Sequence, residues 1–185
     1  KMHLMELRRT SAEYRPKDVA GYVGEMQLLA REGDGAGLET LTQQFEQKFA
    51  VGQLSDTQLG VLATVYKSHG RIQDAATALQ TVVERNPGSA KALYRWARLL
   101  WNADQDSQAL PLFQNLAEKF PRHALAAEAL YAIGRIYQAR QDRHSDAQAI
   151  KAYQTLAERV RTALAAGHAV IADAVYRTAE QRSEE

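Results

Sequence analysis

Apolar positions in this chain recur every three to four residues, the spacing that lines one face of a helix, and not every second residue as in a strand. Leu59, Leu62, Ala63 and Tyr66 share one side of a first helix, and Ala75, Leu79 and Val82 share one side of a second. The two segments are parted by the turn signal "SHGR" and closed by "ERNP", so residues 56–87 read as a helix, a turn and a helix. The phrase "EKFP" closes a second unit at Pro121, 34 residues after Pro87. At that step Leu59 falls on Leu93, Ala63 on Ala97, Ala75 on Ala109, Leu79 on Phe113 and Val82 on Leu116. A fixed period of this length is the mark of a stacked array, in which no unit buries its apolar face alone.

Further copies lie on both sides. "AEALYAIGRIYQ" at 127–138 repeats "AKALYRWARLLW" at 90–101, and its unit continues through Ala149, Tyr153 and Ala157 to about residue 164, after a longer turn around "DRHSDAQ" and without a closing proline. Upstream, residues 16–50 form a degenerate copy split at "EGDG", with Leu41 and Phe45 at the places of the later Ala and Phe. Downstream, "ADAVYRTAE" begins the phrase a third time, which predicts a helix over 169–183. That helix reads equally as a terminal cap and as the first half of a further unit in a longer protein.

This pattern resembles the tetratricopeptide repeat: a large residue, Leu, a small residue, an aromatic, then Ala, an aromatic or Leu, a further apolar residue and Pro. The resemblance covers about residues 56–180 and implies an all-α, right-handed solenoid of about four helix pairs plus a terminal helix, forming one domain over 1–185. Ala63, Ala97 and Gly134 occupy the small position, where the two helices of a unit are expected to bring their backbones close. In that family the first helices line a concave face that holds another protein. The positions this carries over are Gly60, Thr64 and Lys67 in the unit at 56–87; Lys91, Tyr94, Arg98, Trp101 and Asn102 in the next; and Glu128, Tyr131, Arg135 and Gln138 in the one after. Tyr94, Tyr131 and Tyr176 repeat one position, and Arg98 and Arg135 another, one helical turn on. Such a ladder suits a peptide carrying acidic and aromatic or apolar side chains, because aromatic rings give contact area at low entropic cost and guanidinium forks grip carboxylates. The alternative is that the tyrosines pack between units while the arginines pair with Glu128 or Asp173. The Asn and Lys clamp by which one subclass of the family holds a terminal carboxylate is not matched.

Composition narrows the function mainly by exclusion. With 23 Lys+Arg against 22 Asp+Glu, the net charge of +1 supplies no field to attract nucleic acid or an anionic membrane. No run of about 18 apolar residues is present, so no membrane-spanning helix is expected. There are no cysteines, which removes disulfides, thiolate metal sites and Cys nucleophiles. His3, His69, His123, His144 and His168 have no partner at metal-ligand spacing, and His69 before Gly70 reads as a helix-end residue favoured by the dipole. The phrase "LAAGHAVIADAVYRTAEQR" has the look of a nucleotide-kinase segment, yet the chain has no phosphate-cradling G-x-x-x-x-G-K-[ST] loop. No catalytic residue, metal or cofactor is expected. Pro111 stands about one turn into a helix and predicts a distorted start there.

The expected function is a non-enzymatic interaction module. The style of "FPRHALAAEALYAIGRIYQARQD" also resembles repeats of bacterial cell-envelope proteins, including the helical domain of soluble lytic transglycosylases. That leaves three readings: a scaffold holding a partner protein, the non-catalytic part of a larger bacterial enzyme, and a scaffold that associates with itself. Cytoplasm and periplasm are both open.

Overall fold

The structure is a computed structural model that describes residues 18–140 and 143–165; the predicted helix over 169–183, Tyr176 and residues 16–17 of the first unit lie outside the described residues. Among the described residues the fold is all-α, with eight α-helices, one 3-10 turn and no strand. The helices are α1 Val19–Glu32, α2 Gly35–Lys48, α3 Asp56–Ser68, α4 Ile72–Arg85, α5 Ala90–Trp101, α6 Asp106–Lys119, α7 Ala124–Ala139 and α8 Arg143–Ala165. The chain divides into two compact units, 1–71 and 72–185, and the boundary falls in the turn inside the 56–87 repeat.

The helix ends show why these segments start and stop where they do. Asp18 and Asp34 accept from the N–H groups of Gly21 and Gly37 at 2.8 and 2.9 Å, satisfying donors that a helix start leaves open. Ser55 and Gln58 form a reciprocal capping box at the start of α3. Gly33, Gly70 and Asp104 all adopt the left-handed conformation just past α1, α3 and α5. In the three turns the next residue's N–H bonds back five residues, Asp34 to Leu29, Arg71 to Tyr66 and Gln105 to Leu100, at 3.1, 2.9 and 2.9 Å. This is the helix stop that glycine favours, since a Cβ disfavours the left-handed region. Asp104 holds the conformation without being glycine.

In the 1–71 unit, α1 packs on α2 and on α3 around Met26, Phe45, Leu59 and Leu62, all fully buried. Tyr22, Phe45 and Phe49 stack in tilted and edge-on pairs. Glu46 ties this unit together, accepting from the Tyr66 hydroxyl at 2.8 Å and from Arg71 at 2.7 Å. His69 stands at the end of α3 as expected, but its Nε2 is buried without a hydrogen-bond partner and its ring lies beside Gly35, so the ring serves packing.

In the 72–185 unit, each helix packs on its chain neighbours from α4 to α8. Ala97, Ala109, Phe113 and Leu116 are buried as their repeat positions require. The small residue has a sharper cause than close backbones: a Cβ on Gly134 of α7 would overlap the ring of Tyr153 on α8. In α8, Ala149, Tyr153 and Leu156 keep the spacing of Ala109, Phe113 and Leu116, so the last buried position is not the expected Ala157. Leu156 is buried at the position matching Val82 and Leu116, while Ala157 is exposed. Pro111 is exposed within α6, where Gln108 donates to Gln105 three residues back at 3.0 Å, a tightened first turn.

Candidate functional site

Among the described residues the expected ladder falls on α5 and α7 as two matched rungs. Lys91, Tyr94, Arg98 and Trp101 succeed one another at steps of three and four, and so do Glu128, Tyr131, Arg135 and Gln138, so each set occupies one helix face. Tyr94 meets Phe113 of α6 with ring centroids 6.2 Å apart, and Tyr131 meets Tyr153 of α8 at 6.3 Å. The same contact is thus built twice, between the first and second helix of consecutive hairpins. Trp101 also stands edge-on to Phe113 at 5.8 Å, and part of its ring is consumed in packing. Lys91, Arg98, Asn102, Arg135 and Gln138 are exposed, whereas Tyr94, Trp101 and Tyr131 are half-buried. Lys67 and Thr64 are exposed on α3 and Gly60 is buried there; these three belong to the 1–71 unit.

The sequence offers Glu128 as a possible partner for Arg98, but the structure gives that carboxylate to Tyr94, whose hydroxyl donates to Glu128 Oε2 across the α5–α7 contact. The hydroxyl fits because the residue at Tyr94 of one first helix lies beside that at Glu128 of the next, 34 residues on. The Arg98 guanidinium instead lies over the Tyr94 ring, 6.0 Å from its centroid. Neither Arg98 nor Arg135 forms an ion pair among the described residues. The Tyr153 hydroxyl reaches Gln138 Oε1 at 3.4 Å, linking α8 to the second rung.

Burial first, then the hydrogen bond to Glu128 and its negative charge, push the Tyr94 hydroxyl from its ordinary 10.0 up to about 12, against a smaller opposing pull from Arg98. Tyr153 is also raised, chiefly by burial, with Arg135 opposing. For a group raised on folding, the contribution to stability is complete below the unfolded value near 10 and is lost as pH climbs through about 12. In an ultraviolet titration of tyrosinate absorbance, Tyr94→Phe should remove a step at the alkaline end, and Glu128→Gln should move that step to lower pH. A Glu128→Gln curve that coincides with that of the unaltered protein would mean that the Tyr94–Glu128 bond is not made in solution.

One feature has no signal in the sequence. A shallow depression of about 230 Å³ lies between α6, α7 and α8, lined by Gln114, Leu130, Tyr137, Lys151 and Arg159 among others. Arg159 closes one end by donating through both Nη atoms to the Ala117 carbonyl, each at 3.3 Å. The depression shares no residue with the ladder. Among the described residues no cluster of His, Cys, Asp or Glu is arranged to hold a metal, and no helix is long and apolar enough to cross a membrane.

Residues 67–133 match the family model described as tetratricopeptide repeat. No curated protein matches the chain. Among solved structures, a crystal structure of MamA is similar over 85% of this chain and 85% of its own, at 15% identity and a TM-score of 0.56. MamA from Desulfovibrio magneticus RS-1, residues 41 to the end, is similar over 92% of this chain and 99% of its own, at 19% identity and a TM-score of 0.50. A kinesin light chain with nearly identical TPR-like repeats from Podosopora anserina covers 88% of this chain and 84% of its own, at 16% identity and a TM-score of 0.55. At these identities the likeness is one of fold, and it agrees with the period, the turns and the small-residue positions of the chain. The segment 67–133 is therefore a run of tetratricopeptide repeats, set in an all-α chain of the same solenoid fold.

Proposed function

We propose that the chain is a non-enzymatic protein-interaction scaffold, and that the face formed by α5 and α7 holds an extended segment of a partner protein carrying acidic and aromatic or apolar side chains. The observation that carries this is the pair Arg98 and Arg135, exposed at one repeated position and without an ion pair among the described residues. Each guanidinium has a half-buried tyrosine one turn before it on the same face, Tyr94 or Tyr131. A guanidinium fork that is exposed and not neutralised is suited to a carboxylate from outside. The half-buried rings beside it offer apolar area that is already ordered, which lowers the entropic cost of binding.

Fluorescence anisotropy with two labelled peptides tests this, one alternating Glu with Phe and Leu, the other with Lys in place of every Glu. The acidic peptide should bind and weaken with added salt, and Arg98→Ala with Arg135→Ala should weaken it at least about tenfold. Equal binding of both peptides, or no change in the double variant, overturns the assignment.

A further inference from the structure

The depression between α6, α7 and α8 joins an apolar floor to charged edges. Ala117, Leu130, Ile133 and Ala152 line it, each between 4% and 7% exposed. At about 230 Å³ it is smaller than the roughly 300–1,000 Å³ that encloses a drug-sized ligand, and it is shallow. It has room for one aliphatic side chain of a larger molecule that continues outside. One edge is a ridge of α8, where Lys151, Thr155 and Arg159 succeed one another at steps of four and so share a face. Thr155 gives its hydroxyl proton to the Lys151 carbonyl at 2.9 Å, which leaves a cation at each end of the ridge and a small residue between them.

The polar groups favour an anion. Arg159 is anchored by its bonds to the Ala117 carbonyl, in the last turn of α6 where a helix leaves carbonyls open, and its remaining N–H groups are available. Lys151 is exposed, and neither cation forms an ion pair among the described residues. Against them the lining carries one acid, Glu118 of α6. Tyr137 adds a neutral donor: its hydroxyl accepts from Gln114 at 3.4 Å, and its own proton has no acceptor among the described residues, so it can serve a backbone carbonyl. Lys151 and Arg159 are eight residues apart, about 12 Å along a helix. One carboxylate does not bridge that gap. An extended chain, however, puts residues i, i+2 and i+4 on one face and covers about 13 Å from first to last. We propose that the depression binds an extended segment of a partner protein with the pattern acidic-x-aliphatic-x-acidic, its aliphatic side chain seated against Leu130 and Ile133 and its two carboxylates on Lys151 and Arg159. The site shares no residue with the α5–α7 face and does not depend on it.

The test follows the amide shifts of the full chain, labelled with nitrogen-15, as pentapeptides with blocked ends are added. Glu-Ser-Leu-Ser-Glu should move the amides of Leu130, Ile133 and Ala152 and saturate with a Kd in the millimolar range, the order expected of one anchoring side chain and two exposed ion pairs. Three relatives each alter one element: Gln-Ser-Leu-Ser-Gln lacks the charges, Glu-Ser-Ser-Ser-Glu lacks the aliphatic group, and Ser-Glu-Leu-Glu-Ser keeps both but shortens the spacing. Each should bind at least about threefold more weakly. Lys151→Glu changes an exposed position, and the spectrum itself reports that the fold is kept. It should weaken the first peptide at least about threefold, with less effect on Gln-Ser-Leu-Ser-Gln. A first peptide matched by any of the three relatives, or indifferent to Lys151→Glu, overturns the proposal. So does the absence of saturable shifts, and so do shifts confined to the amides around Arg98 and Arg135, which assign the peptide to the other face.

Discussion

Phe113→Ala is expected to destabilise the 72–185 unit by about 3–5 kcal/mol, the usual cost of emptying an aromatic site in a core that cannot collapse around it. Phe113 has no exposed surface, and two rings stand edge-on to it, Tyr94 and Trp101. The cost therefore has two sources: lost burial of the ring itself, and lost support for two side chains that face outward. Urea denaturation followed by circular dichroism measures the first. The second is read by anisotropy with the acidic peptide at a temperature where the variant is still folded. Binding should weaken although no residue of the binding face has been altered. A loss below about 1 kcal/mol would show that the α5–α6 pair repacks, against the close fit of these three rings.

Gly134→Ala should cost about 1–3 kcal/mol, even though alanine is the better helix former by about 1 kcal/mol. The added methyl would overlap the edge of the Tyr153 ring, and both residues sit in the packed interface of α7 and α8. The same substitution made in a Tyr153→Ala background should cost nothing or gain stability, because the overlap is gone and only the helix preference remains. A double-mutant cycle in urea isolates this coupling. If Gly134→Ala stabilises the unaltered protein, the ring turns aside at little cost and the small position reflects a different constraint.

The repeat period is legible because its causes are local. Pro87 and Pro121 end helices through their missing N–H, Gly33 and Gly70 take the left-handed turn, and the 3.6-residue spacing of Leu59, Leu62, Ala63 and Tyr66 records a buried face. Asp104 makes the same turn with an ordinary side chain, and only its place 34 residues after Gly70 marks it. α8 keeps the spacing of α6, Ala149–Tyr153–Leu156 against Ala109–Phe113–Leu116, so Leu156 and not the expected Ala157 completes the buried face; the longer turn and the missing proline hide this match from the sequence. The partner of Glu128 is out of reach for another reason. Tyr94 and Arg98 are one turn apart on the same helix, and which of them meets a carboxylate on α7 depends on the rotation of two packed helices, which no single-helix pattern records.

The order of contacts in the 72–185 unit also bears on how the chain reaches its native state. Its helices touch mainly the one before and the one after, with α5 reaching α7 as the next-but-one contact. Closing such contacts requires only short loops, so the entropic barrier is small and folding should be fast for a chain of this length. Each hairpin can form as soon as its second helix is available, during synthesis as well as after dilution from denaturant, and growth can proceed from whichever pair forms first. Amide hydrogen exchange should accordingly show graded protection from helix to helix, and force applied at the ends should peel helices away in steps.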